Sequence, residues 1–275
     1  MSGAAAVPPL RSQPARPDTR PPVVRVDAVS KRFANGTLAI EHADLVLGSG
    51  EFVSILGPSG CGKSTLLRLI AGLGSPTSGT IDWPDSTAAD AKGRHRRELG
   101  FVFQEPTLMP WATALRNVMT PLTLRRAGKR EAADRAADML RRVGLDAFPH
   151  AYPRELSGGM RMRVSIARAL VTEPRVLLMD EPFAALDEIT RNKLNDDLLA
   201  LWQRQKFTAV FVTHSVYESV YLSERIVVMA ARPGRTFAAI DVDAPYPRDE
   251  MFRTSVAYGD ICRAVSATLK KAIAA

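Results

Sequence analysis

Cysteine is scarce in this chain of 275 residues: there are two, Cys61 and Cys262. Two isolated thiols at this length exclude a disulfide framework and fit a reducing compartment. No apolar run approaches the roughly 18 residues that a membrane-spanning helix needs. The first 22 residues carry Arg11, Arg16 and Arg20 but no apolar stretch of secretory-leader length. They are rich in Ala and Pro, a composition that predicts a disordered tail. No internal repeat is visible. What is abundant is basic charge, a formal net +8. One cluster is Lys92, Arg94, Arg96 and Arg97. Another, Arg125, Arg126, Lys129, Arg130, Arg135, Arg141 and Arg142, is diluted by Glu131, Asp134 and Asp138. Such clusters read as solvated faces, an anionic membrane surface or a nucleic-acid patch, and charge alone does not choose. A hydrophobic content of 46% allows a sizeable core in one large domain or two small ones.

The periodicity gives the organisation. Residues 23–29 alternate as a strand does, and 51–56 read as a buried strand followed by a Gly-rich turn and a helix over 63–71. Residues 130–143 place Ala133, Ala136, Leu140 and Val143 at helical spacing, with Gly144 as a stop. Short apolar strands are expected at 175–179, 208–213 and 225–230. A helix over 188–205 carries Leu194, Leu198, Leu201 and Trp202 on one face. Strands alternating with helices predict an α/β core with a parallel sheet. From about 105 to 170 strand signals are few, which predicts a helical insertion.

Residues 57–65 are Gly-Pro-Ser-Gly-Cys-Gly-Lys-Ser-Thr. The pattern G-x4-G-K-[ST], between an apolar strand and a helix, is a phosphate-binding loop. Gly57, Gly60 and Gly62 let successive backbone N–H groups turn inward as an anion nest, with Pro58, Ser59 and Cys61 between them. The helix beginning near Lys63 adds its positive end. Lys63 is placed to reach the β- and γ-phosphates of ATP, and the Ser64 hydroxyl, beside Thr65, to ligate Mg²⁺. Cys61 inside a positive nest is expected to be thiolate-prone and its alkylation to block activity; a small inert filler is the other reading.

A phosphate loop needs an acidic residue at the end of a neighbouring strand to hold Mg²⁺. Asp180 follows the apolar run Val176–Met179. Glu181 comes next, placed to polarise water or, alternatively, to serve as a helix N-terminal acid before Pro182. His214 follows the strand 208–213, where the carboxyl edge of an α/β sheet faces the ligand crevice. Gln104 ends the apolar segment Leu99–Phe103 and is a candidate sensor of Mg²⁺ or water.

The stretch Leu156-Ser157-Gly158-Gly159, followed by Met160-Arg161-Met162-Arg163, resembles the signature of ABC ATPases. The motifs also fall in that family's order: phosphate loop, Gln104, signature, Asp180-Glu181, Ala185-Leu186-Asp187, His214. The likeness spans about 23–240. It implies a P-loop NTPase (RecA-like) core with an N-terminal antiparallel β part, a helical subdomain over about 105–170 and a C-terminal tail over 241–275. Ser157, Gly158 and Gly159 precede a helix and form a second anion nest. The resemblance implies a head-to-tail homodimer in which each signature closes on the partner's ATP, with Asp187 at the seam. Phe33 resembles the aromatic that stacks on adenine, a position more often Tyr; a core Phe near a strand end is the other reading. The family usually has Gln where Met162 stands, a departure that bears on side-chain contacts and not on the backbone nest.

The segment 180–187 resembles bacterial importers. Pro110-Trp111, Met160 and Arg232-Pro233-Gly234-Arg235 resemble the nitrate, sulfonate and taurine branch, to which a group importing thiamine-precursor pyrimidines or similar heterocycles is related. What this implies is a peripheral ATPase on the cytoplasmic face of the bacterial inner membrane. Two transmembrane permease subunits would dock near Gln104–Asn117, and a periplasmic solute-binding protein would deliver to the permease. A soluble ABC ATPase acting on nucleic acid is the rival; such proteins carry a coiled-coil insertion, a second cassette or zinc modules, so no nucleic-acid partner is expected here.

Overall fold

The computed structural model describes residues 20–84, 98–231 and 233–275. The cluster Lys92, Arg94, Arg96 and Arg97, most of the N-terminal tail, and Arg232 lie outside them. In chain order the elements are β1 (Pro22–Arg32), β2 (Leu38–Gly48), β3 (Phe52–Leu56), α1 (Lys63–Ala71), β4 (Ser78–Asp82) and β5 (Leu99–Val102). Next come α2 (Ala114–Leu124), α3 (Lys129–Arg142), α4 (Gly158–Leu170), β6 (Val176–Asp180), α5 (Glu188–Gln205) and β7 (Thr208–Thr213). The chain ends with α6 (Val216–Leu222), β8 (Arg225–Ala230), β9 (Gly234–Asp241), α7 (Glu250–Thr254) and α8 (Val256–Ala274).

The described strands form one sheet in the order β4-β1-β2-β9-β8-β3-β7-β6-β5. Its β8-β3-β7-β6-β5 half is parallel. The β1–β2, β1–β4 and β8–β9 pairs are antiparallel, so the N-terminal strands form the antiparallel part. The parallel strands are buried on both faces, which is why they read as unbroken apolar runs rather than alternating ones. Their two faces serve different cores. Phe52, Leu56, Leu177, Met179 and Phe211 join α2 to α6 and α8. Val53, Ile55, Leu178, Val210 and Val212 join α1 and the inward residues of β1 and β2. Helix α1 is held inside the curl of the sheet by Leu66, Leu67, Leu69 and Ile70, and Gly72 ends it in the left-handed conformation (φ 74°).

Helices α2, α3 and α4 occupy the stretch where strand signals fade. In α3 the buried side is Ala132, Ala136, Met139 and Leu140; Ala133, expected on that face, is half-buried. Residues 241–275, set apart as a tail in the sequence, add α8 to the larger core through Tyr258, Cys262, Val265 and Ala272, with Phe252 of α7 packed against it. No helix of the described residues is long and apolar enough to cross a membrane.

Candidate active site

Parallel pairing aligns the carboxyl ends of four strands. Leu56 pairs with Thr213, Asp180 with Val212, and Val102 with Met179. The residues that follow, Gly57, His214, Glu181 and Gln104, therefore emerge along one edge of the sheet.

The phosphate loop turns from β3 into α1 with Gly62 as N-cap at φ 90°, a conformation that a side chain resists. Space excludes a side chain as well. A Cβ on Gly62 would lie 2.8 Å from the Ala39 carbonyl oxygen, and one on Gly57 would lie 2.9 Å from the Met229 carbonyl oxygen. The buried Lys63 doubles back over the loop, and its Nζ donates to the Gly57 carbonyl at 2.9 Å and the Pro58 carbonyl at 3.1 Å. Ser59 and Gly60 are exposed at the rim, and Ser64 and Thr65 are half-buried in the first turn of α1.

The acidic residues meet this loop. Ser64 Oγ donates to Asp180 Oδ1 at 2.7 Å. Burial pushes the Asp180 carboxyl up, and the Ser64 hydrogen bond opposes that rise. Glu181 Oε1 is 3.4 Å from Lys63 Nζ, and Glu181 Oε2 is 3.1 Å from His214 Nδ1. Glu181 has φ 45°. Backbone held in that region costs on the order of 1–3 kcal/mol and persists where the surroundings enforce it; here the Glu181 N–H is tied to the Val212 carbonyl at 3.0 Å. The carboxylate is thereby aimed over the loop. Phe33 follows β1 with its ring 45% exposed, so it is not a core residue, and Lys31 Nζ lies 5.6 Å from its centroid.

Ser157 N-caps α4, its hydroxyl accepting the Met160 N–H at 3.2 Å. Gly158 is half-buried and Gly159 buried. A Cβ on Gly159 would lie 2.7 Å from Thr190 Cγ2, so this glycine lets α4 approach α5. Asp187 N-caps α5, and its hydrogen bond from the Thr190 N–H holds its exposed carboxyl below the usual range. Among the described residues, the hydrogen-bond partners of Ser157 lie in its own segment; the signature is not part of the cluster around Lys63. Met162 is 3% exposed and packs in the larger core, so the substitution at that position falls inside the helical layer.

One expectation is overturned. Cys61 is buried, and burial pushes its thiol up against the opposing charge of Lys63. The loop's positive potential acts on a thiol that has lost its solvent, which favours the filler reading over the thiolate one.

Sequence reading missed three supports. Gly234 opens β9, where a Cβ would lie 2.2 Å from the Cys61 carbonyl oxygen, so β9 seals the back of the phosphate loop. Asn117 is fully buried on α2; its Oδ1 accepts the Met109 N–H at 2.8 Å, and its Nδ2 donates to the Ala112 and Thr113 carbonyls, each at 3.0 Å. Arg168 on α4 donates to the Pro106 and Thr107 carbonyls, each at 2.8 Å. Together these clamp the loop after the exposed Gln104 and hold out Trp111, 74% exposed. Asn117 was legible as a polar residue on an apolar helix face; Gly234 stood out only within the 232–235 motif, with nothing to tie it to the phosphate loop.

Comparison with known proteins agrees with this geometry. Residues 40–184 match the family model described as ABC transporter. An uncharacterized ABC transporter ATP-binding protein of Methanocaldococcus jannaschii is 47% identical over 238 residues, covering 86% of each chain. The aliphatic sulfonates import ATP-binding protein SsuB of Bacillus cereus is 42% identical, covering 88% of this chain and 94% of its own. A bacterial ABC transporter cassette solved as a dimer superposes with a TM-score of 0.70 at 34% identity, covering 81% of this chain and all of that one. A post-hydrolysis dimer of the same cassette, bound to ADP and Pi, gives 0.70 at 35% identity. A loop that cradles phosphate, an acidic pair beside it and a second capped glycine turn facing away thus belong to a chain of the ABC transporter family, one of its ATP-hydrolysing cassettes.

Proposed function

We propose that this chain energises solute import across a bacterial inner membrane from its cytoplasmic face, as a homodimer beneath two transmembrane permease subunits fed by a periplasmic solute-binding protein. The solute class we assign is nitrate, a sulfonate, taurine or a related small solute. The relatives named as aliphatic sulfonate importers support this class.

The observation that carries the reading is the junction of Lys63, the Ser64–Asp180 pair and the Glu181–His214 pair at one sheet edge. The close-packed glycines set the tight turn that aims the loop's backbone N–H groups at the phosphates. Lys63 exchanges its carbonyl partners for the β- and γ-phosphates. Ser64, Asp180 and Gln104 are oxygen donors suited to Mg²⁺, which supplies charge neutralisation on the phosphates when bound. Glu181 accepts a hydrogen bond from the attacking water, and His214 holds that carboxylate at the γ-phosphate end. Phe33 offers an exposed face for adenine. Ser157, Gly158 and Gly159 present the N-terminus of α4 to the ATP of a second copy, which is how one nest serves each side of the nucleotide.

The test is genetic and biochemical together. Deleting the gene should abolish growth on an alkanesulfonate, taurine or nitrate as sole sulfur or nitrogen source, and spare growth on sulfate and ammonium. Restoration should require a copy with Lys63 and Glu181 intact. Unimpaired uptake of all three solutes in the deletion strain would refute the solute assignment.

A further inference from the structure

Glu218 is a buried carboxylate for which the site just described has no use. It lies in the first turn of α6, beyond His214, and is 9% exposed. Its Oε2 accepts the Thr213 hydroxyl at 2.5 Å. The same hydroxyl oxygen accepts the Ser215 N–H at 3.0 Å, and Ser215 Oγ accepts the Glu218 N–H at 3.3 Å. The residues on either side of His214 are thus closed into one ring of hydrogen bonds that leaves the imidazole free to meet Glu181. A threonine hydroxyl has one proton to give. Glu218 takes it and so orients the oxygen that receives Ser215.

The far side of Glu218 is also informative. Its Oε1 is buried with no hydrogen-bond partner among the described residues, and so is Arg191 Nε on α5. Burial pushes the Glu218 carboxyl up; the Thr213 hydrogen bond opposes this first, then the charges of Arg191 and His214. Arg191 Nη2 meanwhile donates to the Leu186 carbonyl at 3.1 Å, inside the turn that ends at Asp187. An incompletely satisfied buried carboxylate is costly, and such groups persist where they hold something in place.

We propose that Glu218 is a positioning residue for ATP hydrolysis: through Thr213 and Ser215 it fixes the backbone that carries His214. The proposal rests on the role of His214 given above, which His214→Ala tests alone.

The experiment measures kcat, KM and ATP affinity for Glu218→Ala, Glu218→Gln, Thr213→Val, Thr213→Ser, His214→Ala and the Glu218→Ala/His214→Ala pair. Glu218→Ala should lower kcat by roughly 10-fold or more with KM and ATP affinity little changed. Glu218→Gln keeps an acceptor for Thr213 and should recover most of the loss. Thr213→Val should reproduce the loss, and Thr213→Ser should lose far less. In the His214→Ala background, removing Glu218 should cost less than about 2-fold more, because both changes disable one unit. Multiplying losses in the double variant, or a fall in ATP affinity that matches the fall in kcat, overturns the proposal. Should Glu218→Ala fail to fold, Thr213→Val alone and with His214→Ala carries the same test. A His214→Ala protein with the wild-type rate would remove both the role of His214 and the proposal, an outcome distinct from a loss confined to the Glu218 variants.

Discussion

The chain builds two glycine turns at helix N-termini, and builds them oppositely. At the phosphate loop the N-cap is Gly62 in the left-handed region with no side-chain cap. Lys63 is folded back onto the loop's carbonyls, and β9 is pressed against the loop from behind. At the signature the N-cap is Ser157 in extended backbone, its hydroxyl spent on its own helix and its surface exposed. The first nest is closed by its own chain; the second is finished but turned outward. On the function proposed above, the open anion site of one copy is the half that a second copy would complete, with ATP between them.

The sharpest way to break the comparison is to disable the closed nest. Lys63→Ala should lower hydrolysis by at least ~100-fold and weaken ATP binding in the isolated chain; a steady-state assay with nucleotide titration checks both. The open nest should fail differently. Glu181→Gln removes the strong acceptor for water but keeps its shape, so hydrolysis should fall roughly 100-fold while ATP still binds. Light scattering at low ionic strength should then show a dimer with MgATP and a monomer with ADP. Adding Ser157→Arg should abolish that dimer and leave ATP binding by the single chain unchanged. A Glu181→Gln protein that binds ATP tightly yet stays monomeric at high concentration contradicts the two-nest arrangement.

Smaller effects sharpen the contrast. Gly234→Ala drives a Cβ onto the Cys61 carbonyl, so it should cost about 1–3 kcal/mol in a denaturant titration and loosen ATP binding. Smallest of all is thiol chemistry. Cys61 and Cys262 are both buried, and burial pushes the Cys262 thiol up to about 11. Folded protein near pH 7 should label slowly with a maleimide, faster as pH rises and thiolate forms, and fully in denaturant. Ser157→Cys, on the open turn, should label at once. Rapid labelling of Cys61 in folded protein would show that the first nest is not sealed.

Most of this arrangement was legible where chemistry is local. Strand, glycine turn and helix are consecutive at 51–71, and the strands at 208–213 and 225–230 have the bounds expected of them. What escaped depends on residues distant in sequence. β9 slips between β2 and β8, and only that topology brings Gly234 to Cys61. The thiol of Cys61 was misread because potential can be inferred from a motif, whereas solvent access depends on what packs over it. Residues 241–275 read as a tail because the family likeness stops near residue 240. Yet Tyr258, Cys262 and Val265 fall on one helical side, and Arg248 reaches the Val220, Tyr221 and Ser223 carbonyls at 2.8–3.0 Å.

The clamps at Asn117 and Arg168 have a mechanical consequence. A surface loop ordinarily absorbs a push by bending. The one between Gln104 and Thr113 is pinned at Pro106, Thr107, Met109, Ala112 and Thr113, and its Arg168 pin is rooted in α4, the helix whose first turn is the signature. Its compliance is therefore low. Tied at those points to α2 and α4, the loop is expected to pass a push at Trp111 on to α4 rather than absorb it by bending.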